Sequence, residues 1–207
     1  VVTPNSSSET SYAWQKGSTL EIQSDGKYVI GGWSYNGDVG YGAIGIWRYN
    51  NDGTLDETFG DGTCVNGVGT DGTYGCVIKI GVAGGDGCDK IWDLKIDSLG
   101  RIVAVGQAGN ADGNADMAVW RYTSAGQLDI TFNSVGYFTH HSASGGESGD
   151  RRNSIALDHS GKYVITGRSY DSSEAMHNMV VWRLNVDGTL DEEFGTAKCN
   201  NGVGLGS

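Results

Sequence analysis

Residues 47–60 read WRYNNDGTLDETFG, and this phrase occurs three times in the chain. It returns at residues 120–133 as WRYTSAGQLDITFN and at residues 182–195 as WRLNVDGTLDEEFG. A second phrase precedes each copy, as IQSDGKYVIGG at 22–32, IDSLGRIVAVG at 96–106 and LDHSGKYVITG at 157–167. The chain therefore contains three copies of a repeat unit of roughly 60 residues.

Each unit contains the sequence signals of short β-strands separated by tight turns. In the first unit, Asp25-Gly26 supplies a turn, because both residue types tolerate positive φ, and the β-rich run YVIGG follows. The alternating run AIGIWRY predicts another strand, and the turn NDG leads into a Leu-Asp-x-x-Phe corner. CVIKI, like its counterpart YFTHH, ends the unit as a short last strand. We therefore predict an all-β, β-propeller-like chain of three four-stranded repeats with an N-terminal strand extension.

The phrases DGKYVIGG and WRYNNDGTLDETFG resemble the delta-60 repeat family of exported bacterial proteins. The resemblance covers nearly the whole chain, because both phrases recur in every unit. It implies a β-propeller-like fold, an extracellular or cell-surface setting, and no enzyme activity. The chain departs from closed propellers in its number of units, since such propellers usually have four or more blades.

The repeats predict four parts of the chain. These are an N-terminal strand with a Ser-rich linker (1–16), repeat 1 with an insertion (17–88), repeat 2 (89–149) and repeat 3 (150–207). Extending the alignment backwards places Val1-Val2-Thr3 where the last strand of a preceding blade belongs. The third repeat, by contrast, has no counterpart of the strand at Cys76–Ile80. The sequence thus supplies one strand before the first repeat and lacks one in the third.

A sheet edge that is left unpaired invites pairing with another chain and must be filled or covered. We therefore predict that Val1, Val2 and Thr3 form an assembly strand that enters the third repeat of a neighbouring copy. A head-to-tail contact that does not close produces a filament. Two alternatives stay open: the strand closes onto its own third repeat, or the chain is a fragment of a longer propeller. The predicted acceptor edge consists of Asn200, Asn201, Gly202, Val203, Gly204 and Leu205.

The predicted function is accordingly that of a structural subunit of an extracellular filament, with other copies of the chain as partners. A secreted carbohydrate- or protein-binding β-propeller module is the alternative, since Trp14, Trp33 and Trp92 lie outside the repeated Trp position and exposed rings stack on sugars. The net charge of −11 argues against binding to nucleic acid and anionic lipid. No run approaches the roughly 20 apolar residues that span a membrane. No signal peptide is recognisable, and the start VVTPNSSSET is typical of an N-terminus exposed by processing.

The four cysteines and the polar N-terminal stretch carry the predicted covalent modifications. An even count in an exported chain predicts two disulfides. Cys64–Cys76 is the favoured pair because both residues lie in the insertion. Cys88 and Cys199 are then left to pair across blades, or Cys199 to pair between molecules, and Cys76–Cys88 is the rival pair. Free thiols and a metal site are the weaker alternatives, because no CxxC spacing occurs. The candidate glycosylation sites are Thr3, Asn5, Ser6, Ser7, Ser8 and Thr10.

The sequence offers little support for catalysis or metal binding. It contains no Ser-His-Asp spacing, no HExxH and no phosphate loop. His140 and His141 are neighbours on a predicted strand, so their side chains point to opposite faces. We predict no enzyme activity, no catalytic residue and no cofactor, with calcium at an acidic turn such as NADGNAD (110–116) as the alternative.

One polar pair recurs with the repeat. An Arg follows the repeated Trp, and an Asp lies eight residues further on, beyond a hairpin turn. Because the turn reverses the chain between them, we predict a structural ion pair in every unit. The predicted pairs are Arg48–Asp56, Arg121–Asp129 and Arg183–Asp191.

Overall fold

The regular structure of the chain consists of β-strands. The computed structural model describes residues 14–36, 41–60, 76–79, 82–85, 89–144, 151–195, 199–200 and 203–204. The strands are, in chain order, β1 (Trp14–Ile22), β2 (Tyr28–Asn36), β3 (Tyr41–Tyr49), β4 (Cys76–Lys79), β5 (Lys90–Ile96), β6 (Ile102–Gly109), β7 (Ala115–Tyr122), β8 (Tyr137–His140), β9 (Arg151–Leu157), β10 (Tyr163–Asp171), β11 (Met176–Leu184), β12 (Cys199–Asn200) and β13 (Val203–Gly204). The predicted all-β class is confirmed.

The strands form three antiparallel blades that follow the three repeats. Blade 1 has the order β1-β2-β3-β4 and blade 2 the order β5-β6-β7-β8, so both contain the predicted four strands. Blade 3 contains β9, β10 and β11, with β11 at the edge of the sheet. β12 and β13 pair with each other in a separate two-stranded sheet. Blade 1 begins at Trp14, so it includes the last residues of the segment that the sequence assigns to the linker.

The repeated phrase folds as a strand, a tight turn and a corner. In blade 2, Gly126 of the turn has a φ of +87° and donates its N–H to the Thr123 carbonyl at 3.0 Å. A residue with a Cβ is strained at such a φ, which explains the Gly. After the turn, Leu128 pairs with Tyr122 in an isolated bridge. The same bridge occurs in the other two copies, at Tyr49↔Leu55 and Leu184↔Leu190.

The hydrophobic core lies between neighbouring blades. One cluster joins Ile46 of blade 1 to Leu94 and Trp120 of blade 2. A second cluster joins Val119 of blade 2 to Trp182 of blade 3. The repeated Trp in blades 2 and 3 therefore fills the space between blades.

Blade 2 occupies the middle of the arrangement. Its innermost strand, β5, packs against both β1 and β9. One face of blade 1 and one face of blade 3 consequently lie at the two ends. Trp47 belongs to the end face of blade 1, where its ring lies against Gly45 so closely that a Cβ on Gly45 would be 2.2 Å from the indole.

Candidate functional site

The predicted Arg–Asp ion pair is present in all three blades. In each pair the guanidinium Nε lies 2.7 Å from the carboxylate Oδ2, at Arg48–Asp56, Arg121–Asp129 and Arg183–Asp191. Each carboxylate also has a second cation nearby, with Lys27 and Lys162 at 2.7 Å and Arg101 at 3.9 Å. The corner of the repeated phrase therefore holds one arginine in a fixed orientation in every blade.

Each of these arginines also stacks on the Phe of the same phrase. The guanidinium carbon lies 4.6 Å from the ring centroid of Phe59, 4.8 Å from that of Phe132 and 4.5 Å from that of Phe194. A cation over an aromatic face is attracted by the ring quadrupole. Asp and Phe thus orient the guanidinium, and its Nη1 remains available for a partner outside the blade.

In blades 1 and 2 that outside partner is a turn of the next blade. Arg48 Nη1 donates to the carbonyl of Ser124 in blade 2. Arg121 Nη1 donates in the same way to the carbonyl of Val186 in blade 3. A backbone hydrogen bond accompanies each contact, from Gly60 N–H to Ala125 O at 2.8 Å and from Asn133 N–H to Asp187 O at 2.6 Å. The end of the phrase in one blade therefore binds the turn of the phrase in the next.

Arg183 differs from the other two arginines in its surroundings. Its side chain is 28% exposed, compared with 8% for Arg48 and 2% for Arg121. In the part of the chain that the structure describes, no turn of a further blade lies against it. Arg48 and Arg121 each connect one blade to the next, and Arg183 has the same geometry at the end of the arrangement. We call these three residues the connector arginines.

Asp93 joins the innermost strands of all three blades. Thr19 Oγ1 of β1 donates to its Oδ1 at 3.1 Å, and from β9 Ser154 Oγ and Ile155 N–H donate to its Oδ2 at 2.7 and 3.1 Å. Burial raises the pKa of Asp93, but the hydrogen bonds from Ser154 and Ile155 outweigh it and hold the pKa below its ordinary value. We call this arrangement the Asp93 clamp. Sequence patterns alone do not single it out, and its only signal is that Thr19, Asp93 and Ser154 occupy one position of the repeat.

We expect the Asp93 clamp to stabilise the fold above about pH 4 and to weaken in acid. A carboxylate with a depressed folded pKa contributes stability above its unfolded pKa and loses that contribution as the pH falls through the folded pKa. Asp93→Asn should lower the free energy of unfolding by about 1–3 kcal/mol at neutral pH. This deficit relative to the wild type should shrink below about pH 4. Urea unfolding across that pH range measures both quantities.

Ser154→Ala is the matched control for the Asp93 clamp. It removes one donor and keeps the carboxylate, so the folded pKa of Asp93 should move back toward its unfolded value. The acid-induced loss of stability should then be smaller than in the wild type and should be complete at a higher pH. If the deficit of Asp93→Asn were the same at every pH, the charge of Asp93 would not be what stabilises the clamp.

The outer edge of β11 has no strand partner among the described residues. In blade 1, residues 44–47 of β3 pair with β4, and in blade 2, residues 117–120 of β7 pair with β8. The equivalent stretch of β11 is 179–182. This stretch is therefore the edge at which a fourth strand would complete blade 3.

The predicted assembly residues fall only partly within the described residues. Val1–Thr3 and all the candidate glycosylation sites lie outside them. Of the predicted acceptor edge, Asn200 belongs to β12, and Val203 and Gly204 belong to β13. Asn201, Gly202 and Leu205 lie outside the described residues. Among the described residues, the position of a fourth strand beside β11 stays open.

The disulfide and metal predictions also meet the limits of the described residues. Cys64 and Cys88 lie outside them, while Cys76 begins β4 and Cys199 begins β12, so the pairing stays a prediction.

Asn110 of the acidic turn accepts N–H bonds from the residues two and four positions later at 3.1 and 2.9 Å, as a turn former does. The described ranges contain no group of three or more side chains suited to a metal ion. They also contain no helix of the length and apolarity that a membrane span requires.

The match to one protein family supports the propeller architecture. Residues 23–59, 100–132 and 160–194, about half of the chain, match a family model described as "Domain of unknown function (DUF5122) beta-propeller". None of the curated proteins matches the chain. Among solved structures, the chain is similar to one titled "Structure of a fucose lectin from Kordia zhangzhouensis in complex with methyl-fucoside". That similarity has 14% sequence identity and a TM-score of 0.46, and it covers 79% of this chain and 90% of the lectin chain.

Proposed function

The chain belongs to the DUF5122 β-propeller family, and on this premise we propose that it is a structural subunit of an extracellular filament. In this proposal, Val1–Thr3 of one copy enters blade 3 of the next copy as a fourth strand, and the contact repeats head to tail. The resemblance to the delta-60 repeat family of exported proteins supports the extracellular setting. Disulfides, N-terminal glycans and the absence of an enzymatic step belong to the same proposal.

The open edge of β11 is the observation that carries this proposal. An unpaired edge exposes a row of backbone N–H and C=O groups that another strand can bind. A donated strand would pair with residues 179–182 as β4 and β8 pair with their own blades. Val1 and Val2 are β-branched and suit such a strand.

We expect the full chain to form filaments with a regular axial repeat and the chain without residues 1–13 to remain dispersed. The truncation removes the donated strand and leaves every strand of the three blades intact. Electron microscopy shows the filaments, and light scattering measures the extent of assembly. Because donation rests on main-chain pairing, the single substitution Val2→Pro should also abolish assembly.

Ser11→Pro is the matched control, because it places the same residue in the linker, where no strand pairing is proposed. It should assemble as the wild type does. If the truncated chain or Val2→Pro formed filaments at the wild-type concentration, strand donation would be wrong.

A secreted carbohydrate- or protein-binding β-propeller module is the second candidate. Membership of a β-propeller family supports the scaffold of such a module. Of the Trp side chains outside the repeated position that the structure describes, Trp92 is half-buried, whereas Trp33 is buried with the Lys90 ammonium 4.7 Å from its ring centroid. Binding to a glycan array by a chain that stays monomeric, with loss of binding in Trp92→Ala, would favour this candidate over the filament.

A further inference from the structure

The end face of blade 1 carries apolar side chains that are buried at the equivalent positions of the other blades. Leu20 is 54% exposed, whereas Leu94 and Ile155, which occupy the same position of the repeat, are 0% and 3% exposed. Ile22, in the next position on the same face, is 59% exposed. Leu94 and Ile155 are buried because a preceding blade covers their face. Blade 1 thus presents the face with which blades 2 and 3 dock onto their predecessors, and we call it the leading face.

The end face of blade 3 shows the opposite pattern. Met179 is 80% exposed, whereas Ile44 and Met117 at the same position of the repeat are 0% exposed. Val181 is 38% exposed, and its counterparts Ile46 and Val119 are 0% exposed. The counterparts are buried because a following blade covers them. Blade 3 therefore presents the face on which a following blade docks, and we call it the trailing face.

The trailing face also includes Arg183, against which no turn of a further blade lies among the described residues. Arg183 is held by Asp191 at 2.7 Å and stacks on Phe194, as its counterparts do in the two internal junctions. In those junctions a turn of the next blade lies against the arginine, and the Gly of that turn packs against the Phe. A Cβ on Gly126 would lie 2.8 Å from Phe59, and one on Gly188 would lie 2.6 Å from Phe132.

The leading face contains the turn that such a connector receives. Gly53 has a φ of +86°, and Gly126 and Gly188 have φ values of +87° and +91°. Asn51 and Asp52, which precede Gly53, are exposed, as are the residues that precede Gly126. The turn at 51–53 therefore has the backbone conformation that the connector binds twice within the chain.

From this match we infer that the trailing face of one copy binds the leading face of a second copy, as a third version of the internal blade junction. The Arg183 guanidinium donates to a carbonyl of the turn at 51–53, and Met179 and Val181 pack against Leu20 and Ile22. In the two internal junctions the equivalent positions of these two faces pack against each other, and a second copy is a partner that carries both faces. The inference goes beyond strand donation but rests on the proposed head-to-tail assembly, because both need a neighbouring copy.

This contact has a direction, which sets its outcome. Each copy offers one leading and one trailing face, so the interface is heterologous: its repetition gives a ring where the rotation per copy closes and a filament where it does not. The net charge of −11 makes copies repel one another, so added salt should strengthen the association.

Two full-length variants, each blocked on one face, test the inference. The first, Leu20→Asp with Ile22→Asp, blocks the leading face, and the second, Met179→Asp, blocks the trailing face. All three side chains are exposed in the single chain, so the blades should fold normally. Each variant alone should self-associate at least about 100-fold more weakly than the wild type. An equimolar mixture should form dimers and no larger species, because one intact pair of faces remains.

Ile130→Glu is the matched control. Ile130 is 67% exposed in blade 2, and its counterparts in the repeat are Glu57 and Glu192, so the acidic residue fits the position. Sedimentation velocity should show that this variant assembles as the wild type does. If the leading-face variant also assembled as the wild type does, the inference would be overturned while strand donation stood. If that variant failed and the chain without residues 1–13 still assembled, face docking would stand and strand donation would fall.

Discussion

Replacing Arg121 with methionine should lower the free energy of unfolding by about 3 kcal/mol, the lower end of the range for removing one partner of a buried ion pair. The Arg121 side chain is 2% exposed and binds Asp129 at 2.7 Å, Thr131 Oγ1 at 3.0 Å and the Val186 carbonyl of the next blade. Methionine fills much of the volume but leaves Asp129 without its closest cation and the Val186 carbonyl without its donor. The loss therefore combines an uncompensated charge with a weakened junction between blades.

Arg183→Met is the matched control, because it removes the same ion pair from the same phrase. The Arg183 side chain is 28% exposed, and no turn of a further blade lies against it among the described residues. Water therefore replaces many of the interactions that the substitution removes. We expect a cost of about 1 kcal/mol or less. Urea unfolding of dilute, unassembled protein measures both variants. Equal losses would contradict the role of Arg121 in joining blades 2 and 3.

The repeated phrase made the blades and their ion pairs predictable from the sequence. Strand periodicity, the turn glycine and the Leu-Asp-x-x-Phe corner are local signals, and the Arg and Asp are only eight residues apart across one hairpin. Local geometry therefore determines the pair, and it is present at 2.7 Å in all three blades.

The contacts between blades were not predictable in the same way. Arg48 donates to a carbonyl 76 residues away, and Thr19 reaches Asp93 from 74 residues away. Nothing in the neighbourhood of these residues encodes the partner, because the partner is supplied by the stacking of blades. The leading face shows the limit most clearly: Leu20 and Leu94 are the same residue type at the same repeat position, yet one is exposed and the other is buried.

Each innermost strand contains a bulge, and in blades 1 and 2 a glycine of the neighbouring strand faces it. The sequence alone does not show why a glycine is needed at these positions. The pairing of β5 with β6 shifts register between Ile91 and Asp93, and similar shifts occur in blades 1 and 3. Gly106 faces the bulge in β5, and a Cβ on it would lie 1.8 Å from the Lys90 carbonyl oxygen. Gly32 faces the bulge of blade 1 with the same separation, 1.8 Å from the Lys16 carbonyl oxygen. The last Gly of the phrases YVIGG and IVAVG is thus required by close backbone approach.

Gly106→Ala should therefore be among the most damaging small substitutions in the chain, with a loss of about 3 kcal/mol in the free energy of unfolding, the upper end of the usual range for overpacking. The added methyl meets backbone, which cannot rotate away, so β5 must separate from β6 at the bulge. The register shifts between Ile91 and Asp93, so Asp93 lies at the bulge itself. The displacement therefore moves Asp93 out of the clamp that joins the three blades.

Gly113→Ala separates this steric effect from backbone strain. Gly113 has a φ of +79° and open space around its Cβ position, so alanine there meets only the cost of a left-handed conformation, about 1–2 kcal/mol. Urea unfolding of the two variants should place Gly106→Ala well below Gly113→Ala in stability, and Gly106→Ala should also lose part of the acid sensitivity assigned to Asp93. Were the two substitutions equally costly, with the acid response unchanged, the bulge would not couple the inner strands to the clamp, and each blade would be held by its own sheet and by the connector arginines alone.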